Sequence, residues 1–261
     1  MGLDSSADFD LFIQKLKVKT GLNLELYKRP QMERRLNSLR INKGFRSFAE
    51  FYNALCQTSG LFLELIDKLT INVTEFYRNA ERWDVLSSKV LPELLARTSR
   101  LKVWSAACST GEEPYTLALT LGRFLNLTDI SICATDLDQV VLEKARRGRY
   151  TQESVKAVPR DRLDTYFRLE QGQYVVREEL KKCIKFYQHN LLADKYESGY
   201  DLITCRNVMI YFTEEAKEQI FIKFHEALKP GGYLFVGAAE QIMSPSKYGF
   251  VSTDTFFYKK L

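Results

Sequence analysis

The chain has 261 residues, 45% hydrophobic and 27% charged, with a net charge of +5; that composition supports one or two folded domains with a large core and excludes wholesale disorder. No apolar run approaches the roughly 18 residues that span a bilayer, and the polar start MGLDSSADFD lacks the basic and apolar regions of a secretory signal, so a membrane-spanning or secreted protein is disfavoured. Five scattered cysteines without a C-x-x-C, and only two histidines (His189, His225), read as reduced thiols in a cytoplasmic protein with no metal site.

Residues 1–90 read as helical. Phe9, Phe12, Ile13 and Leu16 follow the spacing of one helix face. Pro30 suits the first turn of a second helix, whose apolar stripe is Met32, Leu36 and Leu39, with Arg35 and Arg40 flanking it and Arg34 pointing away. A third helix covers about Ser47–Cys56 and a fourth Leu61–Leu69. The charge concentrates here. Residues 11–50 hold ten Lys or Arg against three acids, an excess of seven, so the rest of the chain is net −2. Such a segment suits an acidic partner.

From about residue 100 the pattern alternates. Short apolar runs at 101–107, 130–136, 184–190, 200–206 and 232–238 are separated by helix-like stretches at 114–125, 138–147 and 214–228. This predicts βαβ units and a parallel sheet. Residues 148–183 break the alternation, with Gly172 between β-like runs 164–169 and 173–177, which predicts a small antiparallel insertion. The domain boundary falls in or just after the helix 82–95, giving a helical domain over 1–85 and an α/β domain over 86–261.

The first strand runs into Ser105-Ala106-Ala107-Cys108-Ser109-Thr110-Gly111-Glu112-Glu113, where small residues and a glycine let the backbone approach a ligand at the carboxyl end of the sheet. Two carboxylates at the following helix start would repel a pyrophosphate, and no P-loop lysine is present. The ligand is therefore expected to be cationic or hydroxyl-rich. Asp136 ends the second strand, where a carboxylate either grips a ribose diol or caps a helix, Asp138 being the better cap. Lys229-Pro230-Gly231-Gly232 reads as ending a helix, with glycine at C′, and opening a strand.

Together with Asn72-Val73-Thr74-Glu75-Phe76-Tyr77-Arg78, the segments WSAACSTGEEPYTLA (104–118), ATDLD (134–138), HNLL (189–192), DLITCRNVMIYF (201–212) and LKPGGYLFVGAAE (228–240) resemble the chemotaxis-receptor glutamate methyltransferases, the CheR family of class I S-adenosylmethionine (SAM) methyltransferases. The resemblance covers about residues 10–260. It implies an all-helical N-terminal domain and a Rossmann-like SAM-binding α/β domain carrying a small antiparallel β-subdomain at about 148–183. It implies SAM contacts at Asn72, Thr74, Arg78, Glu112, Asp136, Asn190, Leu191, Arg206 and Asn207. Of these, Glu112 would face the cationic methionine portion, Asp136 the ribose, and Asn190 and Leu191 the adenine. The acceptor would be a glutamate on the cytoplasmic helices of a methyl-accepting chemotaxis receptor, oriented by Arg78 and Tyr211 and met by Lys28, Arg29, Arg34, Arg35, Arg40 and Arg46. The products would be a glutamate methyl ester and S-adenosylhomocysteine. The short stretch Glu170-Gln171-Gly172-Gln173 fits a member that works without a receptor tail peptide; the protein is further expected to be a cytoplasmic monomer. The alternatives are a methyltransferase of RNA or of another substrate, and a SAM-binding module without catalysis. A sequence pI of 8.8 and the lack of a nucleic-acid motif argue against RNA or DNA.

Overall fold

The computed structural model describes residues 5–261; the first four, part of the polar start, lie outside the described residues. Four helices open the chain: α1 (Ser5–Thr20), α2 (Arg29–Asn42), α3 (Phe48–Gln57) and α4 (Ser59–Leu69). The apolar stripes read from spacing are buried: Phe9, Phe12, Ile13 and Leu16 on α1, and Met32, Leu36 and Leu39 on α2. Pro30 sits in the first turn of α2, where its missing N–H costs nothing. The start of α3 is capped twice. Ser47 Oγ accepts from the Glu50 amide at 3.1 Å, and the buried Asp8 carboxylate of α1 accepts from the amides of Phe48 (2.6 Å) and Ala49 (3.2 Å). Orphan helix donors thus lock α1 to α3.

After the loop 70–79 come α5 (Ala80–Val85), a five-residue wide turn (Leu86–Val90) and α6 (Leu91–Leu95). The second half alternates: β1 (Lys102–Ala106), α7 (Glu112–Leu121), β2 (Ser131–Asp136), α8 (Gln139–Arg147), β3 (Arg149–Tyr150), α9 (Arg160–Tyr166), β4 (Phe167–Glu170), β5 (Gln173–Val176), α10 (Glu178–Lys181) and β6 (Ile184–Gln188). It closes with β7 (Tyr200–Cys205), α11 (Glu214–Ala227), β8 (Leu228–Val236), β9 (Phe250–Asp254) and β10 (Phe257–Lys260). The main sheet has the order β6-β2-β1-β7-β8-β10-β9, with β6 to β8 parallel and β10 and β9 antiparallel. The chain turns back between β1 and β7, the switch point at which open α/β sheets bind ligands. β3, β5 and β4 form the predicted small antiparallel sheet.

Two expectations need correction, and one element is new. Residues 164–166 complete α9 and are not strand. The Lys-Pro-Gly-Gly stretch is not a helix end: α11 stops at Ala227, Leu228 is already extended (ψ 145°), and Gly231 (φ +73°) lies inside β8, where the register with β7 slips. The hairpin β9–β10 was not expected at all.

One core joins the helical domain to a face of the sheet, with Phe12, Leu36 and Leu65 in the same cluster as Trp104, Ile203 and Phe224. The other core lies on the opposite face and includes Trp83, Leu86 and Leu91 of the α5–α6 helix. Backbone bonds cross the domain junction in both directions. The Lys28 amide donates to the Tyr211 carbonyl (2.8 Å) and the Thr213 amide to the Leu26 carbonyl (2.9 Å), while Tyr27 pairs with Phe212 across a β-bridge. The wall carrying Tyr211 is therefore fixed to the helical domain.

Candidate active site

A cleft with about 930 Å3 of empty space, part of it open to solvent, lies at the carboxyl ends of β1, β2, β6 and β7. Its walls are the loop 70–78, the β1–α7 turn, the ends of β2 and β6, and the loop after β7. The structure brings together here Asn72, Thr74, Arg78, Asp136, Asn190, Leu191, Arg206, Asn207 and Tyr211.

The β1–α7 turn depends on one glycine. Gly111 has φ +99°, and a Cβ there would lie 2.9 Å from both Ala145 Cβ and Tyr150 Oη. Nearby Ala107 (φ +62°) and Ser109 (φ +48°) are left-handed without being glycine, as are Tyr77 and Asn79, which flank Arg78, and Asn207. Such conformations persist where surrounding contacts over-determine them, and they gather at functional sites.

Those contacts are visible. Asp136, 7% exposed, accepts from the Ser109 amide (2.9 Å) and the Asp138 amide (3.0 Å), one on each carboxylate oxygen. Burial pushes its pKa up while these amides pull it down. Each oxygen keeps a lone pair for a ligand. Asp138 takes the cap, accepting from the Val140 amide (2.8 Å), and its other oxygen holds Asn72 Nδ2 (3.2 Å). Asn190 Oδ1 caps the turn after β6 through the Leu192 amide (2.9 Å). The Arg78 guanidinium donates to the Val73 carbonyl (3.2 Å). Arg206 has a side chain only 3% exposed; it donates to the Arg78 carbonyl (2.7 Å) and Asn79 Oδ1 (3.0 Å), and it lies 3.6 Å from Glu113. It stacks over Phe235 at 4.7 Å, and its Nε is buried without a partner. Arg206 therefore pins three walls together.

The two adjacent glutamates differ. Glu113 lines the cleft and accepts from Ser105 Oγ (2.9 Å) and Thr204 Oγ1 (2.6 Å). Glu112, the residue expected to face a cationic ligand, does not line it. It is 5% exposed and accepts from Thr110 Oγ1 at 2.7 Å. Consecutive helix residues point about 100° apart, so only one of the pair faces the cleft. Burial pushes the Glu112 carboxyl up from 4.5 to about 7, against the pull of the Thr110 hydroxyl. The native state thus holds a proton between those two pH values that the unfolded chain releases, and stability falls as pH rises through that window. Glu112→Gln has no such charge to bury. It should be about 2–3 kcal/mol more stable than the parent at pH 8, with the gap closing below pH 4, in urea unfolding at both pH values.

Tyr211 is half-buried, with the Arg35 guanidinium 5.1 Å over its ring. Burial raises its pKa more than Arg35 lowers it, so it keeps its proton near neutral pH and can donate a hydrogen bond. Tyr27, reaching in from the helical domain, was missed by sequence reasoning. Its ring meets Phe212 edge-on at 5.1 Å.

The six basic residues expected to meet a partner separate. Arg34 and Arg35 line a groove with Ser38, Asp67 and Lys68 that shares residues 70–73 with the cleft. Arg46 is exposed, and Lys28 is half-buried at the start of α2. Arg29 pairs with Asp10 (2.7 Å) and Glu33 (3.0 Å). Arg40 donates to the Phe45 carbonyl (2.7 Å) and to Asn37 Oδ1 (2.7 Å) and covers Phe48. These last two are engaged within the helical domain and are less available than their place in the basic run suggested.

Comparison with known proteins gives the family. Residues 7–70 match the family model of the CheR methyltransferase all-alpha domain, and residues 72–257 that of the CheR methyltransferase SAM-binding domain. The chain is 43% identical over 258 residues to a chemotaxis protein methyltransferase of Listeria monocytogenes, covering 98% of both chains. It is 37% identical to one of Borreliella burgdorferi (92% of this chain, 89% of the relative) and 37% identical to one of Escherichia coli (90% and 85%). With both domain models matched in order over nearly the whole chain, the protein belongs to the CheR methyltransferase family.

Proposed function

We propose that the chain transfers the methyl group of SAM to glutamate side chains on the cytoplasmic helices of chemotaxis receptors, as a protein-glutamate O-methyltransferase. The observation that carries this reading is the shared cleft. Carboxylates that suit a cationic, hydroxyl-rich donor (Glu113, Asp136) lie in one pocket with Arg78 and Tyr211, which suit an anionic acceptor.

The residues present fit SAM. Asp136 keeps a lone pair on each oxygen for a ribose diol. Glu113 lies at the wall where the cationic methionine end would sit. Asn190 and Leu191 supply one polar and one apolar contact for adenine. Bound SAM supplies an electrophilic methyl on a sulfonium. A glutamate side chain is already ionised at neutral pH, so transfer to its oxygen moves no proton and needs no general base. The protein's part is placement. Arg78 pairs with the acceptor carboxylate, the Tyr211 hydroxyl donates to it, and Phe212, beside Tyr211 in the cleft wall, keeps water from the reacting pair.

The groove beside Arg34 and Arg35 is the docking surface we assign to the acidic receptor helix. Reversing both charges (Arg34→Glu with Arg35→Glu) should weaken receptor methylation at least tenfold at low salt and far less at high salt, because exposed charges are screened. Initial rates at two ionic strengths measure this. The turn between β4 and β5 is two residues, Gln171 (φ +50°) and Gly172 (φ +76°), a tight hairpin turn. It supports a member that needs no receptor tail peptide. Among the described residues no helix is long and apolar enough to cross a membrane. The reading is tested by incubating the protein with SAM and a receptor cytoplasmic fragment and mapping the fragment by peptide mass. One added methyl on glutamate side chains supports it. Methylation of RNA instead would overturn it.

A further inference from the structure

Glu240 lies outside the cleft, beyond the end of β8, and nothing above gives it a role. It is 2% exposed. Its Oε2 accepts from the Asn207 amide at 2.7 Å, and its Oε1 accepts from the amides of Val208 (2.7 Å) and Met209 (2.9 Å). A single buried carboxylate therefore gathers three consecutive backbone donors of the loop that follows β7. That loop carries Asn207 and Tyr211 into the cleft wall. Asn207 is left-handed (φ +60°), a conformation that asparagine tolerates better than most residues with a Cβ but that still needs support from its surroundings. Converging amides on one charged acceptor are strong bonds, and they hold this turn. Burial nonetheless raises the Glu240 pKa, since the amides offset only part of the desolvation.

The neighbouring glycine fits the same device. A Cβ on Gly237 would lie 2.2 Å from Glu240 Oε2 and 3.0 Å from the Asn207 amide nitrogen. Gly237 has an ordinary negative φ (−83°), so glycine is needed there for space and not for backbone freedom. Further along, the Tyr211 carbonyl receives the Lys28 amide and its ring lies under Arg35. The loop is thus held at its start by Glu240 and at its end by the helical domain.

We propose that Glu240 is a positioning residue for methyl transfer: by clamping the amides of residues 207–209 it sets where Asn207 and Tyr211 stand in the cleft. The kinetic part of the inference rests on the methyl-transfer reading. The clamp itself is open to a measurement independent of activity.

Glu240→Gln keeps the size of the side chain but turns an N–H2 towards an amide donor. The expected result has three parts. Amide hydrogen exchange at Val208 and Met209 quickens. The kcat for receptor methylation falls roughly 10- to 100-fold, the scale of a small misplacement of reacting groups, while the KM for receptor, set on α2, changes less than threefold. In a double-mutant cycle with Tyr211→Phe, the two losses are less than additive, because both act through the tyrosine. Gly237→Ala, which keeps the carboxylate but pushes it aside, should reproduce all three effects and serves if Glu240→Gln does not fold. Unchanged exchange at 208–209 would overturn the clamp, whether or not the protein methylates receptors. Quickened exchange with a parental kcat, or losses that add in full with Tyr211→Phe, would overturn the positioning role. Absence of methyl transfer in the parent protein counts against the proposed function alone, and the exchange result then decides the clamp.

Discussion

Truncating Arg206 to alanine should lower folding stability by about 3–5 kcal/mol and remove measurable SAM binding. Its guanidinium joins the Arg78 carbonyl, Asn79 Oδ1 and Glu113 across the cleft and stacks on Phe235. With the side chain only 3% exposed, solvent screens little of this. Removal leaves the Glu113 charge without its cation and the left-handed turn at residues 77–79 without its anchor. Arg206→Lys should rescue neither property well, because an ammonium cannot fork between a carbonyl, an amide oxygen and a carboxylate while lying flat on an aromatic ring. Urea unfolding and calorimetric titration with SAM check both effects. A truncated protein within 1 kcal/mol of the parent and still binding SAM would contradict this role for Arg206.

Asp136→Asn should weaken SAM binding by roughly 10- to 100-fold, the worth of losing hydrogen bonds to a charged acceptor. The carboxylate accepts one amide on each oxygen and faces the cleft with the rest. An amide side chain must turn its N–H2 towards either the Ser109 or the Asp138 amide, so the β1–α7 turn loosens as one ribose contact is lost. Glu113→Gln should act on the methionine end with a loss of similar size, whereas Glu112→Gln should leave the affinity within threefold. Titrations of the three variants separate the adjacent glutamates directly. The contrast would fail if Glu112→Gln proved the weaker binder.

Much of the architecture was legible because burial imposes a period. Phe9, Phe12, Ile13 and Leu16 recur at helical spacing and are all buried. The run 200–206 is mostly apolar because β7 (Tyr200–Cys205), central in the sheet, is buried at every position. The hairpin β9–β10 was invisible for the opposite reason. It lies at the sheet edge, β9 exposes three polar or β-branched residues in a row, and its turn passes through Phe256 at φ +73° with no Asn-Gly or similar signal. The Lys-Pro-Gly-Gly stretch misled because a glycine after an amphipathic helix usually marks its end, whereas here the helix had ended at Ala227.

The cleft was legible where a motif fixes a backbone turn and less so where a rotation decides. Asp136 ends β2 and Asn190 follows the end of β6 by two residues, so their positions follow from the sheet. Glu112 and Glu113 are neighbours on a helix, and only the packing of α7 reveals which one faces the ligand. Tyr27 and Glu240 reach the site, or the loop that forms it, from remote segments. No local pattern announces a side chain whose role is set by a tertiary contact. The same applies to the basic run, where Arg29 and Arg40 are engaged within the helical domain and Arg34 and Arg35 border the cleft.

The most direct test of methyl-ester formation uses SAM labelled in its methyl group, a receptor cytoplasmic fragment and the parent protein, followed by mild alkali. The expected result is label on the receptor that alkali releases as volatile methanol, and little label with Arg78→Ala or Tyr211→Phe. Alkali-stable label, or no label from a protein shown to bind SAM, would contradict carboxylate methylation.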